Sequence, residues 1–314
     1  MKQRNKLSLI ALTLGIILVM VGCGSNNNEA KDSTKLQVVT TFYPMYDFAR
    51  NVTGDQAEVS VLMKAGTEPH DYEPSAKDIA KIADSDVFVY NSEEMETWVA
   101  SVLKNVDTKK TVVIDASKEI KLLDGAEDHD HDEEGHDDHS HAHDPHVWLD
   151  PVLAQEEVNA IKAGVIKADP ANKVMYEKNA DAYNEKLEAL NQKFVNGLKD
   201  AENRTFVTQH SAFAYLANRY DLKQVAIAGL SPDQEPSPAK LAELNDFVKD
   251  NDVKVIYFEE TASPKIARTL ANETGAALEV LSPIEGITKE EQDKGVDYIR
   301  VMESNLAALQ KSIK

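Results

Sequence analysis

The chain carries 34 Lys and Arg against 54 Asp and Glu in 314 residues, a formal net charge of −20. A surface this acidic excludes nucleic acid as a partner and favours cations. One cysteine excludes a disulfide framework, so the fold must stand on its core alone.

Lys2, Arg4 and Lys6 precede fifteen uncharged, mostly apolar residues, Leu7 to Val21, ending at Gly22-Cys23. A basic start, a short apolar run and a small residue before the cut describe a secretory signal over residues 1–22. The run is short for a spanning helix, which needs about 20 residues; an uncleaved anchor is the alternative. V-G-C-G resembles the bacterial lipoprotein cleavage box, in which the cysteine, here Cys23, becomes the lipidated first residue. Met20 stands where Leu is usual. Residues 23–35 then form a lipidated, polar tether. Loss of the signal removes three positive charges and leaves 31 basic against 54 acidic residues, or −23. About 280 residues remain, enough for two α/β domains with full cores.

Leu36 to Thr41 reads as a buried strand, Pro44 to Val52 as a helix before Gly54, and Glu58 to Met63 as an alternating strand. The loop Lys64 to Pro74, broken by Gly66, Pro69 and Pro74, carries His70. Ser75 with Asp78 opens a helix to Ala83. Val87–Tyr90 and Thr111–Ile114 are strands, with a helix from Glu94 to Leu103 between them. Strands alternating with helices indicate a largely parallel sheet.

From Glu127 to Asp144 the chain holds six of its nine histidines and nine carboxylates, with no Lys or Arg. It cannot bury enough apolar surface for a core and is expected to be a flexible loop. A solvated acidic loop explains the carboxylates but not the gathering of His129, His131, His136, His139, His141 and His143. Imidazole is the commonest transition-metal ligand, so the loop is expected to contact metal. D-P-H-V-W-L-D-P follows, with His146 between two Asp-Pro turns and Trp148 and Leu149 to anchor it. The pattern is a metal-attracting loop feeding a fixed ligand.

Two helical runs come next. The second, Pro170 to Leu198, places Tyr176, Ala180, Tyr183, Leu187, Leu190, Phe194 and Leu198 on one face. Such a rod, on the order of 45 Å long, is either a domain-spanning backbone or a coiled-coil arm. Its Tyr and Ala members favour the backbone. Strands at Thr205–Thr208, Val225–Ala228, Val253–Phe258 and Ala277–Leu281 then alternate with helices at Ser211–Arg219, Pro238–Val248 and Pro264–Glu273. A last helix is expected from Lys289 to Leu309. The halves match as patterns of elements, which points to two similar lobes.

Outside the His-rich loop only His70, His146 and His210 occur. Taken singly, each reads as a hydrogen-bonded structural histidine; taken together they do not read as incidental. Separated by 76 and 64 residues, they can meet only through the tertiary fold, which spacing alone does not show.

G-T-E-P-H-D-Y-E-P-S, D-P-H-V-W-L-D-P, T-Q-H-S-A-F-A-Y-L-A-N-R-Y-D-L and L-S-P-I-E-G resemble the metal-binding lipoproteins of bacterial ABC importers, the ZnuA/AdcA-like zinc solute-binding proteins. The motifs keep the family's order over nearly all of the chain after residue 35. The resemblance implies an α/β fold of two similar lobes, residues 36–169 and 200–314, with mainly parallel sheets flanked by helices. One long rigid helix, residues 170–199, joins them, and one metal lies in the interlobe cleft. It implies His70, His146 and His210 as nitrogen ligands and Glu285 as the fourth, carboxylate ligand, with water as the alternative there. Three imidazoles and one carboxylate suit tetrahedral Zn²⁺. Manganese prefers oxygen, and manganese-binding relatives carry a carboxylate where this chain has His210. Affinity order alone leaves Cu²⁺ and Ni²⁺ open. Glu68, Asp71, Asp144 and Glu259 are candidates to orient the ligand rings.

The expected function is a lipid-anchored, extracytoplasmic zinc receptor at the cell surface, a monomer that hands Zn²⁺ to an ABC permease. No G-x-x-x-x-G-K occurs, so the ATPase is a separate chain. Alternatives are a manganese-binding or adhesin-type relative, and a zinc hydrolase with Glu285 or Glu260 as base. The hydrolase lacks H-E-x-x-H and G-x-S-x-G, so no enzyme is expected.

Overall fold

The computed structural model describes residues 35–125, 143–234 and 236–313. Cys23, the signal segment and His129, His131, His136, His139 and His141 lie outside the described residues. Residues 35–314 form one compact unit. No helix among the described residues is long and apolar enough to cross a membrane.

The first half runs β1 (Leu36–Thr40), α1 (Tyr43–Thr53), β2 (Ala57–Val61), α2 (Ala76–Ala83), β3 (Val87–Tyr90), α3 (Val99–Leu103) and β4 (Val112–Asp115). Its four strands are parallel in the order β2-β1-β3-β4. All four residues of β3, V-F-V-Y, are buried, as expected where helices cover both faces of a parallel sheet. A two-stranded antiparallel ribbon follows, β5 (Leu123–Asp124) with β6 (His143–Asp144). Next come α4 (Pro151–Ala168) and α5 (Lys173–Leu198).

The second half repeats the plan. It contains β7 (Thr205–Thr208), α6 (Ala214–Arg219), β8 (Lys223–Ala226), α7 (Pro238–Asp250), β9 (Val255–Phe258), α8 (Lys265–Thr274), β10 (Ala277–Val280), α9 (Lys289–Asp293) and α10 (Tyr298–Ser312). Its parallel order, β8-β7-β9-β10, is the order of the first sheet. In each sheet the strand order reverses beside the first strand, and ligands gather at the C-terminal ends of strands near such a point.

α5 joins the halves. The seven residues expected on its apolar face are its seven buried residues, and 26 residues span about 39 Å. It packs on α1 and α4 of the first half and on α10 of the second. Its apolar face is thus consumed within the chain, leaving no seam for a coiled-coil arm. One hydrophobic cluster extends from Leu36 through this helix to Ile313, so the two lobes share a core.

Three segments differ from their sequence patterns for identifiable reasons. The helix expected from Glu94 begins at Val99, because the Glu96 side chain turns back to accept from the backbone N–H groups of Asn91 and Ser92. The last helix is two, α9 and α10, divided at Gly295, whose φ of 67° is open to glycine and unfavourable elsewhere. The His-rich stretch closes earlier than expected, since His143 and Asp144 pair with Asp124 and Leu123.

α4 lies against β4 at Gly164. A Cβ there would come 2.1 Å from the Ile114 Cδ1 atom, and Ile114 is buried. Gly164→Ala is expected to lower the unfolding free energy by about 1–3 kcal/mol. That outweighs the helix-propensity gain of about 1 kcal/mol. Urea denaturation reads the sign.

Candidate metal centre

His70, His146, His210 and Glu285 come together from four separate places in the chain. His70 lies in the loop after β2 and His210 two residues after β7. Glu285 follows β10, and His146 precedes α4. Three of the four thus sit beyond the C-terminal ends of strands of the two parallel sheets.

Five of the six separations among their ligand atoms fall between 3.2 and 3.4 Å, and all four atoms lie within 4.8 Å of one another. His146 Nε2 lies 3.3 Å from His70 Nε2 and 3.4 Å from His210 Nε2. Glu285 Oε1 lies 3.4 Å from His70 Nε2, and 3.2 Å from both His146 Nε2 and His210 Nε2. A tetrahedron with ligands at ~2.0–2.1 Å from its centre has edges of about 3.3–3.4 Å. The four atoms therefore occupy corners that suit one small, tetrahedrally coordinated cation. His146 and His210 are fully buried, and the His70 side chain, 11% exposed, marks the solvent side.

Two rings are held by carboxylates on their far nitrogens. Asp144 Oδ1 sits 2.7 Å from His146 Nδ1 and also accepts from the His146 backbone N–H. Glu259, immediately after β9, sits 2.5 Å from His210 Nδ1. Both contacts turn Nε2 towards the centre and raise the basicity of the ring. Of the other two candidates, Glu68 accepts from the His70 backbone N–H, and Asp71 is exposed.

Charge in the cluster is balanced internally. Burial disfavours the His210 imidazolium, but Glu259 and Glu285 outweigh it and raise its pKa well above the ordinary value. Burial likewise opposes protonated His146, and Asp144 with Glu285 overcomes it. Burial pushes the Glu285 carboxyl up, yet His210 and the contacts from the three rings hold it well below the usual range. The pocket is thus built to hold positive charge against an ionised Glu285.

The backbone of this site is over-determined. Along the His146 segment, Asp144 O accepts from Tyr215 Oη at 2.7 Å, Pro145 O from Asn91 Nδ2 at 2.9 Å, and Trp148 O from Tyr298 Oη at 2.5 Å. Trp148 Nε1 donates to Pro283 O at 2.7 Å, tying this segment to the Glu285 loop. Within that loop Ile284 has φ 58°, a left-handed conformation unfavourable for a β-branched residue. Strain of this kind, about 1–3 kcal/mol, collects at functional sites, and here it aims the next residue, Glu285. Gly286 then packs beside Gly66 and Thr67, which brings the His70 loop across. The sequence did not point to Asn91, Tyr215, Tyr298 or strained Ile284, because their partners lie far along the chain or their φ has no local signature.

His143 is the one residue of the His-rich stretch's six that is described. It lies in β6, 3.5 Å from Asp124 Oδ1, and is not in the four-residue cluster.

Comparison with known proteins yields a consistent set of relatives. The family model of ZnuA, the periplasmic component A of a zinc-uptake complex, matches residues 38–312. The high-affinity zinc uptake system protein ZnuA of Bacillus subtilis is 51% identical over 314 residues, covering 98% of each chain. The zinc-binding lipoprotein AdcA of Streptococcus pneumoniae is 50% identical over 312 residues; the match covers 98% of this chain but 61% of AdcA. The crystal structure of the Zn(II)-bound ZnuA-like domain of that AdcA superposes with a TM-score of 0.77 at 49% identity, over 89% of this chain and 99% of the domain. A family match over almost the whole described chain, on top of a four-donor cavity between two like sheets, places this protein in the ZnuA family of zinc-uptake solute-binding components.

Proposed function

We infer that this chain is the extracytoplasmic zinc receptor of an ABC importer, capturing Zn²⁺ between its two sheets and delivering it for uptake. The observation that carries this reading is the set of five donor–donor distances between 3.2 and 3.4 Å. In this reading His70, His146 and His210 each bind Zn²⁺ through Nε2, and Glu285 closes the tetrahedron. A closed set of four protein ligands leaves no coordination position for a catalytic water, in keeping with a receptor rather than an enzyme. Residues 1–22 act as signal, Cys23 carries lipid at the head of a tether to residue 35, and the lobes are 36–169 and 200–314 about the helix at 170–199. The partner is a membrane permease driven by a separate ATPase, and the receptor works as a monomer. The six histidines from His129 to His143 raise the local zinc concentration and pass ions to the fixed site.

Competition titration of the purified chain against a zinc chelator tests the reading, run beside a deletion of residues 127–143. One tight ion is expected in both, with slower uptake at nanomolar zinc in the deletion. Tight binding that vanished with the deletion would move the site to the His-rich stretch; uptake as fast as the parent would remove the capture role.

Acid should release the cargo. Each ligand nitrogen must be free of its proton to bind metal, so binding expels protons. Because the His146 and His210 pKa values are raised above the ordinary imidazole value of ~6.5, proton competition sets in above that pH, and affinity is expected to fall at least tenfold per pH unit below it. Metal content unchanged at about pH 5 would exclude histidine ligation.

A further inference from the structure

We propose that Tyr215 is a positioning residue that holds the ligand His146 in place by clamping the β5–β6 ribbon ahead of it. The proposal rests on His146 being a ligand. Eighteen residues, five of them histidine, connect Asp124 to His143. β6 ends two residues before His146, so the set of the ribbon is carried to that ring.

The ribbon itself is a poor barrier. Each of its strands has two residues, and a hairpin far larger than this is only marginally stable alone. Its stiffness must come from outside. Tyr215 supplies it from α6, in the second half of the chain. Its hydroxyl donates to Asp144 O at 2.7 Å and accepts from the Leu123 backbone N–H at 2.8 Å. Leu123 and Asp144 are directly paired in the ribbon, so one oxygen grips both strands at a single level. The phenol is 4% exposed, which fixes the oxygen in place.

Asp144 is the shared element. Its carbonyl is held by Tyr215, while its carboxylate holds the backbone N–H and Nδ1 of His146. A displacement of β6 would therefore rotate the His146 ring unless the carbonyl is pinned. Asn91, which holds the next carbonyl, belongs to the first half. Tyr215 belongs to the half that contributes His210 and Glu285. The hydroxyl thus references His146 to the opposing ligands and preserves the distances on which tetrahedral binding depends.

The test is Tyr215→Phe, which removes the hydroxyl and keeps the buried ring, made in the full chain and in a chain lacking residues 127–142. That deletion leaves Gly125 and Ala126 between the strands, a two-residue turn with Gly first that suits a hairpin. Zinc affinity, zinc release into excess chelator and the visible ligand-field spectrum of the Co²⁺ form are read for each. In the full chain Tyr215→Phe is expected to bind one ion with affinity reduced 10–100-fold, the range for residues that orient a ligand, and with a shifted Co²⁺ spectrum. In the deletion background the loss should shrink below threefold and the spectrum should return to that of the parent. Tyr220→Phe removes a hydroxyl that bonds Asn191, away from the site, and should change none of these.

Affinity and spectrum unchanged by Tyr215→Phe in the full chain would overturn the proposal. So would a loss of the same size in the deletion background, which would make Tyr215 a general structural support. His146→Ala, titrated alongside, reports on the ligand assignment separately: zinc binding that ignores His146 overturns the proposed site, whatever Tyr215→Phe does.

Discussion

His210→Ala is expected to weaken zinc binding by on the order of 10²–10³-fold while leaving the His-rich stretch able to hold looser ions. Four-ligand zinc sites reach apparent binding free energies of about 10–16 kcal/mol, so one ligand in four accounts for roughly 3–4 kcal/mol. Among the described residues no donor outside the cluster joins it to replace His210: that residue is fully buried, and its Nε2 stands 3.2 Å from Glu285 Oε1 and 3.4 Å from His146 Nε2. The substitution also strands Glu259. That carboxylate is 2% exposed, its other oxygen has no hydrogen-bond partner among the described protein atoms, and His210 Nδ1 is its close contact. Removing one partner of a buried charged pair typically destabilises by about 3–5 kcal/mol, so the metal-free variant should also unfold more easily. Chelator competition gives the first quantity and urea denaturation the second. An affinity within threefold of the parent would remove His210 from the site. A strong loss of affinity with unchanged metal-free stability would keep the ligand and deny the buried pair.

Both effects concern residues that the sequence exposes to very different degrees. The three isolated histidines stand out because the other six are gathered elsewhere, and S-P-I-E-G and D-P-H-V-W-L-D-P carry enough turn chemistry to be recognised as loops. The face of α5 is legible because its period is local, with Tyr176, Ala180, Tyr183 and Leu187 following one another at three- and four-residue steps. Convergence is a different matter. His70 and Glu285 meet because two parallel sheets of the same order face their C-terminal edges to one cleft, and no local pattern encodes that. Glu96 illustrates the limit. A helix pattern runs through it, but its carboxylate finds better use accepting from Thr41, Asn91 and Ser92, and the helix starts later. Ile284 is the sharper case, because a β-branched residue is the last one that propensity would place in the left-handed region. Its neighbours on the opposing half, through Trp148 and Pro283, decide the matter. What remains hidden in the sequence is therefore mostly the set of contacts between residues far apart in the chain, and that set is also what aims the four side chains of the cluster.

A second large effect is expected at a residue that touches no metal. Glu157 lies on α4 with 0% exposure, and neither carboxylate oxygen has a hydrogen-bond partner among the described protein atoms. Burial, then the charges of Glu96 and Asp115, push its carboxyl well above the ordinary value. Glu96 is as deeply buried, yet with three donors around it the rise stops at about 7. A carboxyl whose pKa is higher in the folded state binds its proton more tightly there. It contributes no penalty below the unfolded value near ~4.3, and a growing one as pH rises towards the folded value. Each pH unit in that window lowers stability by about 1.4 kcal/mol. Glu157→Gln keeps the shape and abolishes the ionisation. The variant should match the parent most closely near pH 5 and gain on it as pH rises, by at most about 1.4 kcal/mol per unit. Metal-free protein must be used, so that zinc does not mask the difference; every group other than residue 157 is common to both chains. Urea denaturation at pH 5, 6 and 7 reads the gap. Parallel stability curves would show that Glu157 carries its charge in the folded state at little cost. A widening gap would place a neutral carboxyl behind the site, beside Tyr215 and Tyr298, whose hydroxyls feel its charge and hold the His146 segment in place.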